Sequence, residues 1–349
     1  MNIETQELET QAGSRLVLDP LQRIIRSMPK SLDRDARHLT FSDKLIRLSP
    51  ETFVSIVPRG QVGGEWGTVF LPNGQLFAEV SVQYECGKLL EEHLVSDQFF
   101  GPLHKTSSSV AVLSCWGAEG YFHWMFDVLP RLNLLARSGI YVDRYFVNTA
   151  KRFQRECLTF LGIPDSKIIP AENTFYLEAE QLIVPSLPGI TGNMPFWACQ
   201  YLRNRFLREC GFAFSSKTNK RIFLSRRLAD KRRIQNEQEI MQLLEQYGFE
   251  TVLLETMSVA EQIKLFSSAE VVFGMHGAGL SNTVFCRPGT KVIEVFPKDK
   301  ANVCYWALAN QVGLDYYYMC AAENSATSEI DYEINLQDLS NILKTAGVV

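Results

Sequence analysis

The sequence predicts an α/β protein made of two Rossmann-like domains that face each other across a cleft. Three observations lead there. From residue 110 onward, short apolar runs of strand length alternate with amphipathic segments of helix length, as parallel, helix-covered sheets require. The alternation breaks once, at the turn-rich stretch Pro188-Gly189-Ile190-Thr191-Gly192-Asn193-Met194-Pro195, which reads as the domain linker. The length, 349 residues with 46% hydrophobic, is enough for two cores.

Taken in order, residues 1–50 lack a strong period and read as an extension with a disordered tip. An N-terminal α/β domain follows over 51–195. It opens with strands at Phe53–Val57, Thr68–Leu71 and Leu76–Tyr84, the last two joined by the hairpin signal Pro72-Asn73-Gly74. Val110–Cys115 is continuously apolar, as in a strand buried on both faces. A helix follows it, on which Phe122, Met125, Phe126, Leu129, Leu132, Leu135 and Ala136 recur at helical spacing, and Gly139 ends it. A strand at Tyr145–Val147, a helix at Lys151–Leu161 and a strand at Glu180–Pro185 continue the pattern.

The second domain, 196–325, begins with a helix at Phe196–Cys210. Strands at Arg221–Ser225, Glu250–Leu254, Val271–Phe273, Lys291–Phe296 and Asp315–Met319 then alternate with helices at Asn236–Tyr247, Val259–Ser267 and Asn302–Val312. Residues 326–349 end in a helix at Leu336–Thr345, read as packing back on the N-terminal domain.

Composition narrows the function. A net charge of −4 gives no field for nucleic acid, so anions must be bound by local clusters. The eight cysteines, at 86, 115, 157, 199, 210, 286, 304 and 320, have neither Cys-x-x-Cys nor metal-ligand spacing and read as reduced core thiols. The polar N-terminus carries no signal peptide and no apolar run reaches a membrane span, so a cytoplasmic location is expected. Pro20–Leu32 mixes Arg23, Arg26 and Lys30 with apolar residues. That composition could lie on the inner face of a membrane, and equally suits a short helix packed on the protein, the preferred reading.

The stretch Glu270–Pro297 carries the most specific signal. An apolar run ends in Gly274-Met275-His276-Gly277-Ala278-Gly279, followed by a short helix and a second apolar run. Small residues at a strand-to-helix turn let a ligand approach the backbone, and the N–H groups of the helix start favour a phosphate. Ser281 and Asn282 either cap this helix or touch the ligand, and capping is the default. Glu294, among apolar strand neighbours, needs partners, either ribose hydroxyls or a structural ion pair. The run is neither G-x-G-x-x-G nor a P-loop, and no G-x-S-x-G elbow occurs. Asp33-Arg34-Asp35 has an Asp-x-Asp form, but no strand precedes it and no metal site is assigned.

Two further clusters complete the picture. His123 and Asp127 share a helix face at four-residue spacing, suited to removing a proton from a hydroxyl; alternatively Asp127 pairs with Arg131. Residues 217–233 hold eight Lys and Arg against Asp230 alone, with Arg226 placed to emerge at a strand end and Arg232 just before a helix start. Lys217, Lys220 and Lys231 read as a solvated face.

Four blocks taken together resemble glycosyltransferase family 61. They are His123-Trp124-Met125-Phe126-Asp127-Val128-Leu129-Pro130; Phe223-Leu224-Ser225-Arg226 with Arg232-x-Ile234-x-Asn236-Glu237; Gly274 to Asn282; and Pro288-Gly289 with Val292 to Pro297. The resemblance implies a GT-B-like fold and inverting, metal-independent transfer of a sugar from a nucleotide sugar, with UDP the commonest carrier. No cofactor is implied. Carried over, Arg226, Arg232, His276, Gly277, Ala278, Gly279, Ser281 and Asn282 hold the donor diphosphate, Glu294 lies near the ribose, and His123 and Asp127 face a glycan or glycolipid acceptor. Which of the two is the base stays open. The missing leader points to the bacterial branch associated with capsule and surface polysaccharides. A non-catalytic nucleotide-sugar-binding subunit and a nucleotide-sugar epimerase are the competing readings.

Overall fold

A computed structural model describes residues 13–31, 40–81, 84–85, 88–89, 101–209, 211, 219–297, 301–323 and 331–349. The expected disordered tip, the Asp33-Arg34-Asp35 triplet, Lys217, Cys86 and Cys210 lie outside these. The chain divides into two compact units, one of residues 1–22 and 49–191, the other of 23–48 and 192–349. The boundary at Thr191/Gly192 falls inside the turn-rich stretch.

The first unit is one mixed sheet with helices. Its strands are β1 (Ser14–Asp19), β2 (Thr52–Pro58), β3 (Gln61–Gly63), β4 (Thr68–Phe70), β5 (Leu103–Val112), β6 (Arg144–Val147), β7 (Ile168–Pro170) and β8 (Tyr176–Pro185). The order is β1-β2-β8-β5-β6-β7, with β3 pairing β8 and β4. Strands β8, β5, β6 and β7 run parallel, whereas β2 is antiparallel to β8 and β1 to β2. Chain order reverses between β5 and β8, so the crevice at their carboxyl ends is the switch point of this sheet. Of the predicted strand at Leu76–Tyr84, described residues 76–81 hold a single bridge, between Leu76 and Phe70 across the Pro72-Asn73-Gly74 turn, and Tyr84 begins a two-residue strand, Tyr84–Glu85.

The helix predicted after β5 forms in three pieces: α1 (Tyr121–His123), a π-helical turn (Trp124–Val128) and α2 (Arg131–Ser138), capped by left-handed Gly139; α3 (Arg152–Phe160) follows β6. Pro130 explains the break. It offers no N–H, and its ring would collide with the carbonyl four residues back, so the backbone widens by one residue and Leu129 donates to Trp124. Arg131, 1% exposed, places its guanidinium at the switch point: Nη1 donates to the carbonyls of Leu113 and Ser114 at 3.0 Å each, and Nη2 to that of Pro185 at 2.6 Å. It does not bond Asp127, as the alternative reading had it. Burial pushes its pKa down to about 10, so it stays charged at neutral pH.

The second unit is a parallel sheet. Its elements are α4 (Phe196–Glu209), β9 (Lys220–Leu224), α5 (Glu237–Glu245), β10 (Phe249–Val252), α6 (Val259–Ser267), β11 (Ala269–Met275), β12 (Lys291–Phe296), α7 (Cys304–Val312), β13 (Asp315–Cys320) and α8 (Leu336–Thr345). The order β10-β9-β11-β12-β13 is that of a flavodoxin-like sheet, and it reverses between β9 and β11. Two expectations are corrected. Helix α8 packs on β13 of this same unit through Leu339, Ile342 and Leu343, since its apolar stripe needs the apolar face of that sheet. Residues 23–48 are likewise part of this unit rather than a separate extension. A strand at Lys30–Ser31 adds to the β13 edge, and Phe41, 0% exposed, packs its ring against Trp306 at 5.2 Å and Tyr318 at 4.8 Å. Pro20–Leu32 holds strands at Gln22–Ile25 and Lys30–Ser31 instead of the predicted short helix. Among the described residues, no helix is long and apolar enough to cross a membrane.

Replacing Arg131 by Met should destabilise the protein by about 3 kcal/mol, because three buried carbonyls lose a charged donor together. Urea unfolding measures this, and a loss below about 1 kcal/mol would show that other donors take over.

Candidate active site

In the second unit the sequence-predicted residues collect at the switch point. Arg226 follows β9 and His276 follows β11, two neighbouring parallel strands ending side by side. Arg226 Nε donates to the carbonyl of Arg232 at 3.0 Å and Nη2 to that of Lys231 at 2.7 Å. These bonds fold residues 226–232 back on themselves. Arg232 adopts φ 60, a left-handed backbone unusual for a residue with a side chain, and its Nη1 donates to the carbonyl of His276 at 2.9 Å. Both guanidiniums are thus fixed by backbone carbonyls. Among the described residues neither forms an ion pair, so both positive charges remain uncompensated. Burial and the neighbouring Arg232 lower the pKa of Arg226, against the opposing pull of Glu255 and Tyr305.

Gly277 is required by contact rather than by its backbone angle, which is extended. A methyl group there would fall on Nη1 of Arg226. The segment Ala278–Phe285 after it is a 3-10 helix in place of the predicted α-helix. Its first bond runs from the N–H of Leu280 to Gly277, so the N–H groups of Ala278 and Gly279 precede the ladder beside Arg226.

Three predicted donor residues have other roles in the structure. Glu294 is 0% exposed, with one oxygen on His276 Nδ1 and the other receiving the hydroxyl of Tyr316. Both oxygens are occupied, so it orients His276 and offers no free edge to a ribose. Burial and the Glu294 charge raise the Tyr316 pKa well above the usual value, which keeps it a donor. Asn282, 0% exposed, bridges Gln262 of α6 at 2.7 Å and the carbonyl of Gly279 at 3.3 Å. Ser281 is equally buried, beside the Tyr305 hydroxyl. Asn282 braces the loop from behind, whereas the buried Ser281 hydroxyl makes no hydrogen bond among the described residues. Sequence spacing could not separate bracing from ligand contact, because all these residues follow one strand end.

The first unit brings His123 and Asp127 together. His123 Nδ1 meets Asp127 Oδ2 at 2.8 Å, and Thr191 Oγ1 donates to the same oxygen at 3.2 Å. The His123 side chain is 22% exposed and that of Asp127 only 7%. The carboxylate therefore sits behind the imidazole, and the ring's second nitrogen, Nε2, is not used by this pair. Gly117, at φ 78, lies against the ring so closely that a methyl would stand 2.8 Å from His123 Cδ2. Thr191 and Gly117 were not singled out from the sequence. Gly117 was legible only as a turn; Thr191 lies 64 positions from its partner and gave no signal. No group of three or more His, Cys, Asp or Glu side chains among the described residues is placed to hold a metal ion.

Comparison with known proteins bears on the family rather than on these side chains. The family model "Glycosyltransferase 61" matches residues 121–293, a span that opens two residues before His123 and closes one before Glu294. The chain is 30% identical over 95 residues to a beta-1,2-xylosyltransferase of Arabidopsis thaliana, covering 27% of this chain and 17% of that enzyme. It is 29% identical over 122 residues to the xylan glycosyltransferase MUCI21 of the same plant, covering 32% and 25%. To the alpha-1,3-arabinosyltransferase XAT2 of Oryza sativa it is 32% identical over 117 residues, covering 30% and 20%. The chain thus spans a quarter or less of the relatives it matches. Over its central part, then, the chain is similar to glycosyltransferases of family 61. The expected bacterial capsule branch gains no support, because these relatives are plant transferases.

Exchanging Tyr316 for Phe strands one buried oxygen of Glu294 and should cost about 1–3 kcal/mol. Chemical denaturation reads this directly; an unchanged midpoint would mean that the hydroxyl does not serve Glu294.

Proposed function

We propose that the protein is an inverting, metal-independent glycosyltransferase of GT-B type. The first unit would supply the acceptor side and the second would hold a nucleotide-sugar donor, with UDP as the expected carrier. One observation carries the reading: two guanidiniums without carboxylate partners stand beside the free-edged turn at Gly277, at the switch point of a parallel sheet. Such a site is built for a diphosphate. The relatives' names concern glycan synthesis, which favours a glycan acceptor.

In this mechanism His123 is the base and Asp127 its orienting partner. Asp127, buried and already bonded by His123 and Thr191, holds Nδ1 and leaves Nε2 for the acceptor. As the acceptor oxygen attacks the anomeric carbon from the face opposite the diphosphate, its proton passes to Nε2. The bond from anomeric carbon to diphosphate oxygen breaks, and its electron pair leaves with the diphosphate. Arg226, Arg232 and the N–H groups of Ala278 and Gly279 offset that charge without reorganising.

Four outcomes test this in the full chain. Arg226→Ala should weaken nucleotide binding about tenfold or more, seen as a lost thermal shift with UDP or GDP. Gly277→Ala should do the same by displacing the guanidinium. His123→Ala should lower transfer by about a hundredfold or more while nucleotide binding stays intact. Transfer should also survive chelation by EDTA and invert the anomeric centre, as read by NMR of the product. Full turnover by His123→Ala, or release of free sugar with no glycosylated product, would reject the assignment.

A further inference from the structure

The carboxyl edge of the first unit's sheet carries aromatic side chains that the base assignment does not use. Trp66 is 39% exposed and sits one residue before Gly67, whose backbone rests on Ser114: a methyl on Gly67 would lie 2.7 Å from the Ser114 carbonyl. Trp116 follows Ser114 by two residues and is half-buried, with its ring edge-to-face against His123 at 5.2 Å. Phe122 flanks the same imidazole at 5.5 Å. The backbone next to Trp66 and the ring of Trp116, from chain segments some fifty positions apart, thus both lie at one strand end, with Trp116 against the proposed base.

The segments that carry them are pinned. Asn148 Nδ2 donates to the carbonyl of Glu65 at 2.6 Å, and the N–H of Gly67 to Gly64 at 3.1 Å. On the other side, Gln154 Nε2 holds the carbonyl of Ala118 at 2.9 Å, and the N–H of Gly120 bonds Gly117 at 2.8 Å. Ordering these rings on binding therefore costs little entropy. Each tryptophan has an acid close by in sequence, Glu65 next to Trp66 and Glu119 three residues past Trp116. Among the described residues neither carboxylate forms an ion pair.

We propose that Trp66 and Trp116 form a two-ring platform for a neutral oligosaccharide acceptor, whose reactive unit lies over Trp116 within reach of His123. A pyranose has apolar C–H faces and a rim of hydroxyls. Indole faces cover the former by hydrophobic contact and dispersion, and the carboxylates of Glu65 and Glu119 accept from the latter. The same two carboxylates repel an acidic glycan. The platform rests on His123 being the acceptor-side residue. It narrows the acceptor class to a neutral chain of at least two sugars.

Isothermal titration of the full chain with neutral oligosaccharides (xylotetraose, cellotetraose, mannotetraose, chitotetraose), their monosaccharides and tetragalacturonate tests it without any donor. At least one neutral tetrasaccharide should bind, and its monosaccharide and tetragalacturonate about tenfold or more weaker. Trp66→Ala and Trp116→Ala should each weaken that binding about tenfold or more, whereas the corresponding Phe variants retain most of it. Circular dichroism melting confirms that the variants fold. Absence of binding by every neutral glycan, Ala variants that bind like the parent protein, or equal binding of tetragalacturonate would each overturn the platform. Glycan binding that depends on both tryptophans, in a protein that transfers no sugar, would uphold the platform and reject the transferase reading instead. Robust transfer with an acceptor KM unmoved by either Ala variant would do the reverse.

Discussion

The carboxyl ends of parallel strands at a switch point impose one constraint from which much of this molecule follows. Neighbouring strands end there with carbonyls that no further strand or helix covers, and in a dry interior each must find a donor. Both units meet the demand with arginine. In the first, Arg131 collects the carbonyls of Leu113, Ser114 and Pro185, and almost none of it is exposed. In the second, Arg232 takes the carbonyl of His276 just past β11, and Arg226 takes those of Lys231 and Arg232 within the loop that leaves β9. A guanidinium suits this task because its planar fork reaches several carbonyls at once and keeps its charge when buried.

The two solutions differ in what remains. Arg131 turns two nitrogens and its Nε toward backbone carbonyls from within a sealed environment, so its charge is used up structurally. Arg226 and Arg232 are only partly covered and, among the described residues, form no ion pair, so the same backbone work leaves their charge without a paired carboxylate. Carbonyl partners matter here, since they fix a guanidinium in place without neutralising it, which a salt bridge would do. The left-handed backbone at Arg232 is the local cost of that placement.

How much of this was legible in the sequence depends on the range of the interaction. Strand and helix periodicity exposed the second unit almost element by element, because each segment's pattern is local. The clustering of Arg226, Arg232 and His276 was legible for the same reason: each follows a recognisable strand or precedes a helix. Long-range partners were not. Nothing local says that residues 23–48 complete the second unit, since the Lys30–Ser31 strand joins β13 some 285 positions later, a placement decided by packing of Phe41 and Trp306. The role of Glu294 stayed open between ribose hydroxyls and an ion pair because a carboxylate in an apolar strand demands partners without naming them, and here His276 and Tyr316 take its two oxygens.

The helix of His123 shows how a local irregularity becomes chemistry. On a regular α-helix, His and Asp four residues apart sit side by side, equally presented. Pro130 forbids that regularity, and the π-helical turn it forces spans Trp124 to Val128 and buries all five of those residues, Asp127 among them. His123, on the last residue before the turn, keeps its exposure while its Nδ1 stays bonded to the buried carboxylate. The two groups are thereby made unequal. One keeps part of its ring exposed, with a second nitrogen the pair does not use, and the other is held behind it, with Thr191 on the same oxygen. From composition and spacing the pair was symmetric, and the proline that breaks the symmetry read only as the end of a motif. Burial, set by one missing backbone donor, is what makes the two groups unequal.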